Sequence, residues 1–327
     1  MSRRALIVGI SGQDGAYLSQ LLLAKGYQVV GTSRDAQVAR FDNLDKLGIR
    51  DRVSLESMSP TDFRSVFEVV SKCAPDEIYN LSGQSSVALS FKQPAEALNS
   101  IVNGTVTLLE AIRFLGKPTR LYNAGSSECF GDVGAETANE DTPFRPRSPY
   151  AAAKAAAHFM VSNYREGYGL YACSGILFNH ESPLRPERFV TRKIAVAAAR
   201  IAAGTREKLT LGNMDIRRDW GWAPEYVEAM WRMLQRDEPR DFVISTGRLS
   251  TLEEFVAAAF EAAGLKWREH VVTDPALKRP TDLMGFAGDA SRAREGLSWQ
   301  ARLVMPDIAR HMVRHEMKAA ETAGGLA

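Results

Sequence analysis

Short apolar runs alternate with helical patterns along the first half of the chain. A helix is predicted over ALNSIVNGTVTLLEAIRFLG (97–116). An earlier helix is predicted from an apolar face formed by Leu18, Leu21, Leu22 and Leu23. Continuous apolar runs such as the first strand are typical of parallel strands buried on both faces. The candidate strands are RALIVGI (4–10), YQVVGTS (27–33), DEIYNLS (76–82), TRLYNAGS (119–126) and YACSGILFN (171–179). Strand–helix alternation at this spacing predicts an α/β fold with a Rossmann-type doubly wound parallel sheet.

The pattern changes after about residue 175, where helices predominate. One of them should begin with a capping box, because Thr251 is followed three residues later by Glu254. The segment DFVISTG (241–247) predicts one more strand. The predicted helices are FVTRKIAVAAARIAAG (189–204), EYVEAMWRMLQRDEP (225–239), TLEEFVAAAFEAAGL (251–265) and MPDIARHMVRHEMKAAE (305–321). We expect a Rossmann domain over 1–175, to which 222–248 returns, and a smaller C-terminal α/β substrate domain over 176–327.

Composition narrows the function classes. The chain has 327 residues and a formal net charge of +2, which gives no reason to expect nucleic acid or an anionic membrane as a partner. Three widely spaced cysteines form neither a metal-ligand pattern nor a disulfide framework, so no metal is expected. With no run long enough for a membrane helix, the sequence predicts a cytoplasmic protein.

The segment GISGQDGAYL places three glycines between the first strand and the first helix. Gly9 permits a tight turn, Gly12 lets the backbone approach a pyrophosphate, and Gly15 allows close helix–strand packing. The helix N-terminus favours the negative charge. We therefore predict a dinucleotide site here that includes the intervening Gln13 and Asp14.

The end of the second strand should contact the adenosine ribose of that dinucleotide. It reads Arg34-Asp35, and arginine favours a 2′-phosphate whereas aspartate favours a 2′-hydroxyl. Arg40 adds a second positive charge nearby. The sequence favours NADP and leaves NAD open.

SPYAAAKAAA places Tyr150 and Lys154 four residues apart on one face of a predicted helix. A nearby ammonium stabilises a phenolate, so we expect the pKa of Tyr150 to fall toward the working pH. Both residues are predicted to contact the cofactor as well. Ser126 or Ser127, at the carboxyl end of a predicted strand, would hold the substrate oxygen that Tyr150 deprotonates.

Glu128 follows these serines directly. Oxidation or reduction of an alcohol needs no carboxylate, whereas removal of a C–H proton next to a new ketone needs a base. Glu128 therefore predicts elimination of water after a transient oxidation. A structural role, as a capping residue of the turn, is the alternative.

Together these motifs resemble the extended short-chain dehydrogenases/reductases and, among them, the GDP-mannose 4,6-dehydratase family. The resemblance runs almost from end to end. FNHESP and RRDWG are more specific than the glycine loop. The most specific blocks are SPYAAAKAAAHFMVSNYREGYGLYACSGILFNHESPLR, FVTRKI, LGNMDIRRDWGWAPEYVEAMW and RPTDL.

The resemblance implies an NADP-dependent lyase with a GDP-sugar substrate and a homodimeric or homotetrameric assembly. Tyr150 would take the C4 hydroxyl proton while hydride leaves C4, and Glu128 would take the C5 proton as water leaves C6. Hydride then returns to C6. Ser126 and Lys154 complete the implied catalytic set. The implied substrate contacts are Ser85, Asn179, Val190, Lys193, Arg218 and Arg279.

Three alternatives stay open: a reductase that consumes the 4-keto product, a dehydratase of another GDP-hexose or heptose, and a non-catalytic dinucleotide-binding sensor. The chain also departs from the family pattern. Ser126 replaces a threonine, Ser59 an aspartate and Asp282 a glutamate, and Arg34-Asp35 replaces paired arginines that contribute to tetramers.

Overall fold

The computed structural model describes residues 2–134, 137–277 and 285–324. Strands and helices alternate through the first half of this part of the chain. In chain order the strands are β1 (Arg4–Val8), β2 (Gln28–Ser33), β3 (Ser54–Ser57), β4 (Glu77–Asn80), β5 (Arg120–Ala124), β6 (Ala172–Leu177), β7 (Asn179–Glu181), β8 (Leu209–Leu211), β9 (Arg217–Arg218), β10 (Trp220–Trp222), β11 (Phe242–Ile244), β12 (Ser250–Thr251) and β13 (Val271–Thr273).

The helices are longest where they cover the sheet or form the C-terminal bundle. They are α1 (Gln13–Ala24), α2 (Asp42–Lys46), α3 (Phe63–Cys73), α4 (Val87–Lys92), α5 (Pro94–Leu98), α6 (Gly104–Leu115), α7 (Pro149–Tyr168), α8 (Val190–Ala202), α9 (Ala223–Met233), α10 (Leu252–Ala262), α11 (Ser291–Leu297) and α12 (Met305–Gly324). None of the helices in the described ranges is long and apolar enough to cross a membrane.

Seven strands form one parallel sheet in the order β11-β6-β5-β4-β1-β2-β3. In β1, Leu6 pairs with Val30 of β2 on one side and with Ile78 of β4 on the other. The chain order reverses between β1 and β4, which is where a doubly wound sheet opens a crevice for ligands. The predicted fold class is therefore confirmed.

Alternate residues of the strands enter two separate cores. Ala5 and Ile7 of β1 pack with α1, α9 and α11, whereas Leu6 and Val8 pack with α3, α6 and α7. Because both faces are covered, β1 has no polar position between Ala5 and Val8, and all four residues are fully buried.

A third core lies between α8, α10 and α12, where alanine-rich faces allow close helix packing around Phe255 and Phe260. The predicted capping box at the start of α10 is present: Thr251 Oγ1 accepts from the Glu254 N–H, and the Thr251 N–H donates to the Glu254 carboxylate. Outside the main sheet, β7 pairs with β10 in parallel, and β10 contacts α12 of this bundle.

The sequence prediction missed the edge strand β3, the short strands β7 to β10, β12 and β13, and a break in one helix. The edge strand β3 has the half-exposed sequence SLES, which carries no apolar run to reveal it. The helix predicted over 97–116 is interrupted, because a π-helical turn at Asn99–Asn103 separates α5 from α6. The Ser100 hydroxyl in this turn accepts from the Gln84 N–H at 3.2 Å, so the π turn supports the loop after β4.

Candidate active site

The loop after β1 has the geometry that a dinucleotide requires. Gly9 has φ +91°, and a Cβ there would lie 3.0 Å from the Leu81 carbonyl, at the crevice between β1 and β4. A Cβ on Gly15 would lie 2.6 Å from the Gly9 oxygen, so only glycine lets α1 approach this closely. Gly12 is the N-cap of α1 and provides no side-chain cap, which suits a helix whose first N–H groups receive an anion.

The side chains of Gln13 and Asp14 point toward β7. Gln13 donates to the His180 carbonyl at 3.2 Å and accepts from the Ser182 hydroxyl at 2.7 Å. Asp14 Oδ2 lies 2.9 Å from His180 Nε2. Their side chains are therefore occupied by contacts within the protein, and these two residues would contact a dinucleotide through their backbone in the first turn of α1.

Arg34 and Asp35 follow β2 and are both exposed. Asp35 Oδ1 accepts from the backbone N–H groups of Gln37 and Val38, at 3.0 and 3.4 Å. The Asp35 carboxylate thus stabilises its own loop, whereas the Arg34 guanidinium is exposed at the end of the strand that contacts the ribose in this fold.

Ser126 and Glu128 are positioned by a 3₁₀ turn directly after β5. Ser126 is its N-cap, and its hydroxyl accepts from the Glu128 N–H at 3.3 Å. This cap places Ser126 and Ser127 at the carboxyl edge of the sheet, where both are largely buried.

Tyr150 and Lys154 lie in the first turns of α7, which begins with a Ser148 cap and Pro149. The Lys154 amine is 5.9 Å from the centroid of the Tyr150 ring and donates to the Ala124 carbonyl at 2.8 Å. The helix thus joins the end of β5 through Lys154, and burial lowers the pKa of that amine to about 8.

The Tyr150 pKa differs from the sequence expectation. Burial raises the pKa of Tyr150 above its ordinary value, and the nearby Glu128 carboxylate adds to the rise. The hydrogen bond with Ser126 acts in the opposite direction. The effect of burial on the Tyr150 pKa is the larger one, because the charged phenolate is poorly solvated inside the protein.

Glu128 opens onto a narrow cleft together with two predicted substrate contacts, Asn179 and Arg218. The β7–β10 pairing explains their proximity, because Asn179 lies opposite Trp220 in register. The cleft is lined by Ser127, Glu128, Phe178, Asn179, Arg218, Asp219, Gly285 and Phe286.

Asp219 is a cleft residue that sequence reasoning missed. Its carboxylate accepts from Thr246 at 2.9 Å (N–H) and 2.6 Å (hydroxyl), from the Gly247 N–H at 2.9 Å and from the Gly288 N–H at 3.3 Å. Burial raises the pKa of Asp219, while these donors favour its charged form. Asp219 therefore joins three chain segments beside Arg218. The only sequence signal was its place in RRDWG.

The other predicted substrate contacts lie near the start of α8. The Arg188 guanidinium donates to the Ser85 hydroxyl at 3.5 Å, which brings the loop after β4 close to Val190, the first residue of the helix. The Lys193 amine donates to the Thr210 carbonyl at 2.8 Å. Arg279 and Asp282 lie outside the described residues.

This arrangement suits proton transfer beside a bound dinucleotide. It combines a phenol, an amine and a hydroxyl at one strand end with a carboxylate two residues from the hydroxyl. In the described part of the chain, no three His, Cys, Asp or Glu residues are grouped so as to hold a metal ion.

Curated relatives match the chain over nearly its full length. GDP-mannose 4,6 dehydratase 1 of Arabidopsis thaliana is 44% identical, covering 99% of this chain and 92% of the relative. GDP-mannose 4,6-dehydratase of Sinorhizobium fredii is 44% identical with 96% of each covered, and the Homo sapiens protein is 40% identical with 97% and 92% covered.

Solved structures share the fold at lower sequence identity. RMD from Pseudomonas aeruginosa, complexed with NADPH, has a TM-score of 0.80 at 22% identity and covers 98% of this chain and 99% of its own. A dTDP-glucose 4,6-dehydratase from Bacillus anthracis, in complex with NAD, has a TM-score of 0.84 at 19% identity, with 98% of each chain covered.

The family model described as GDP-mannose 4,6 dehydratase matches residues 6–312. This match spans the glycine loop, the turn with Glu128, the first turns of α7 and the cleft beside β7. With the full-length relatives at 40–44% identity, it shows that the chain belongs to the GDP-mannose 4,6 dehydratase family.

Proposed function

We propose that this protein converts GDP-mannose to GDP-4-keto-6-deoxymannose by removing water across C5 and C6. The observation that carries the proposal is that the turn with Ser126 and Glu128, at the end of β5, packs against α7, which carries Tyr150 and Lys154 in its first turns. Glu128, the base for C5–H, lines the cleft together with Asn179 and Arg218. The names of the full-length relatives agree with this reaction.

Each side chain has a separate task in this mechanism. Ser126 orients the C4 hydroxyl, and Tyr150 accepts its proton while Lys154 favours the phenolate. The bound dinucleotide supplies the hydride acceptor at C4 and the hydride donor at C6. Glu128 removes the C5 proton, made acidic by the 4-keto group, and can donate a proton to the C6 hydroxyl as water leaves. When hydride returns to C6, C5 takes up a proton from solvent, and Tyr150 releases its proton to solvent.

We next assign the residues that would contact the diphosphate and the nucleotide of the substrate. Arg218 lines the cleft beside Glu128, and we assign it, with Arg279, to the pyrophosphate. Asn179 would contact the sugar diphosphate, while Ser85, Val190 and Lys193 would contact the nucleotide. The substrate would then extend from the turn after β5 toward the start of α8.

Glu128 also separates this function from the alternatives. A reductase acting on the 4-keto product needs Tyr150, Lys154 and Ser126 but has no use for a second base. A non-catalytic sensor would need none of them. A dehydratase of another GDP-hexose or heptose would use the same residues and differ only in sugar recognition.

Turnover with a catalytic amount of cofactor tests the function. Purified protein incubated with excess GDP-mannose and substoichiometric NADP⁺ should form the 4-keto-6-deoxy product in many-fold excess over the cofactor, because hydride returns to each product. Product equal to the cofactor would indicate net oxidation, and no product would refute dehydration of GDP-mannose. GDP-hexoses and heptoses tested in parallel would identify another substrate.

The cofactor we propose is NADP. The solved neighbours bind NADPH or NAD, so they support a nicotinamide dinucleotide without deciding between the two. The Asp35 carboxylate accepts from its own loop, while Arg34 is exposed at the end of β2. This geometry favours a guanidinium contact with a 2′-phosphate over a carboxylate contact with a 2′-hydroxyl.

Replacing Arg34 by alanine should therefore reduce the preference for NADP over NAD. We expect the dissociation constant for NADP⁺ to rise about tenfold or more, because a charge-assisted contact with phosphate is lost, while NAD⁺ affinity stays within about twofold. Calorimetric titration measures both. Arg52→Ala, which precedes the amino end of the neighbouring strand β3 and so lies at the other end of the strands from Arg34, is the matched control. Equal weakening of both ligands would rule out a 2′-phosphate contact.

We also propose a cytoplasmic homo-oligomer, with a dimer as its unit. The neighbouring helices α6 and α7 expose Phe114 and Phe159, with 62% and 60% of their surfaces accessible. A second copy of this surface would cover both rings. Sedimentation velocity measures the oligomeric state directly, and a monomer at micromolar concentration would contradict the proposal.

The cytoplasmic location is proposed from the cysteines. All three are free and buried, as suits a reducing compartment.

A further inference from the structure

Polar contacts connect the first turn of α1 with β7 and with Ser182, the residue that follows it. Asp14 Oδ2 lies 2.9 Å from His180 Nε2, and the Ser182 hydroxyl donates to Gln13 Oε1 at 2.7 Å. The His180 side chain is 9% exposed and that of Asp14 22%. The dinucleotide loop and the strand that carries Asn179 are thus joined by side chains from opposite halves of the chain.

The hydrogen-bond partners of His180 determine its charge. Nδ1 lies 2.8 Å from the Phe178 carbonyl, which can only accept, so this nitrogen must carry a proton. Nε2 faces the Asp14 carboxylate, which also accepts when ionised. Both ring nitrogens then donate, and the pair is an imidazolium–carboxylate ion pair.

The surroundings support this protonation state. The Asp14 carboxylate raises the pKa of His180 against the effect of burial, and His180 in turn helps to lower the pKa of Asp14. Arg185 opposes a positive His180, though more weakly than Asp14 favours it. The Tyr226 ring stacks on the imidazole with a centroid separation of 4.6 Å, which fixes its plane.

The position of Asp14 makes its charge important for ligand binding. It is the second residue of α1, beside the N–H groups that would receive a pyrophosphate. A carboxylate there would repel the phosphates unless a cation offset it. His180 is the cation in hydrogen-bond contact with this carboxylate, and Arg185 adds a weaker favourable charge.

We propose that His180 is a positively charged positioning residue that neutralises Asp14 and so keeps the N-terminus of α1 able to bind the dinucleotide pyrophosphate. The inference rests on the proposed dinucleotide site but not on which sugar nucleotide is dehydrated. It predicts both a charge state in the protein alone and a defect in cofactor binding.

The charge state is measured without any ligand. Histidine ¹⁵N NMR of the cofactor-free protein at about pH 8, well above the ordinary histidine pKa of about 6.5, should show one imidazolium with both nitrogens protonated. That signal should disappear in His180→Gln and persist in His311→Gln, a matched change on the exposed part of α12. A neutral His180 at this pH would overturn the proposal, whatever the dehydratase assay shows.

The binding defect is measured by calorimetry with NADP⁺. His180→Gln should weaken binding about tenfold or more, because an unpaired, partly buried carboxylate then faces the phosphates. His180→Gln combined with Asp14→Asn should bind within about threefold of the wild type, because neither charge remains. His311→Gln should bind normally. Melting temperatures identify any variant that does not fold.

Rescue by the double variant distinguishes charge compensation from simple loss of structure. If the double variant binds no better than His180→Gln, or if His180→Gln binds normally, His180 does not act through the charge of Asp14. A wild type that binds no dinucleotide would instead refute the cofactor site, while the NMR result would still report the ion pair.

Discussion

Replacing Glu128 by glutamine should lower kcat for dehydration by roughly 10²–10⁴-fold, the usual contribution of a positioned general base. Glutamine keeps the size and the polar contacts of the side chain but cannot accept the C5 proton. The Ser126 cap accepts from the backbone N–H of residue 128, so the turn after β5 should keep its shape. Quenched assays that follow the 4-keto product by mass measure the loss.

The same variant should still oxidise C4, because Tyr150, Ser126 and Lys154 are unchanged. Bound cofactor should therefore become reduced when GDP-mannose is added, which nicotinamide absorbance detects, while solvent deuterium should not enter C5. Glu68→Gln on the exposed surface of α3 is the matched control. Wild-type turnover by Glu128→Gln would remove Glu128 from the base role and make the carboxylate structural.

Replacing Tyr150 by phenylalanine should also lower kcat by roughly 10²–10⁴-fold, but by preventing the first step. Phenylalanine retains the ring near Lys154 and loses the hydroxyl that the first proton transfer requires. No reduced cofactor should form, because the C4 hydroxyl then has no base. Rapid-mixing absorbance measurements therefore distinguish this variant from Glu128→Gln.

Tyr168→Phe is the matched control, since Tyr168 ends the same helix and is exposed. Binding of GDP-mannose to Tyr150→Phe should change little, so the loss should fall on kcat and leave KM nearly constant. If Tyr150→Phe reduced its bound cofactor at the wild-type rate, another group would have to accept the C4 hydroxyl proton.

The sequence predicted the central sheet well because its inner strands are buried on both faces. A continuous apolar run such as that of β1 is typical of a strand covered on both faces, and Gly9 and Gly15 are required by contacts that a Cβ would block. The sequence also showed that one residue separates Ser126 from Glu128. In the structure, both belong to a 3₁₀ turn that Ser126 caps, which fixes their relative positions.

Other features depend on contacts between distant segments, which no local pattern records. Asp219 looks like an ordinary charge next to two arginines until the fold brings Thr246, Gly247 and Gly288 to it. The rise in the Tyr150 pKa likewise depends on tertiary burial. The spacing on the helix predicts that Lys154 lies near Tyr150. It does not show how deeply the Tyr150 phenol is buried, and therefore how poorly its phenolate is solvated.

The position of β11 bears on how the protein is made. β6 leaves the ribosome well before β11, and the chain between them forms β7, α8, β8, β9, β10 and α9. Until β11 pairs with Gly175, Ile176 and Leu177, β6 is an open sheet edge with unsatisfied backbone groups. The nascent N-terminal half is thus exposed to mispairing, and completion of its sheet must wait for translation of the C-terminal half.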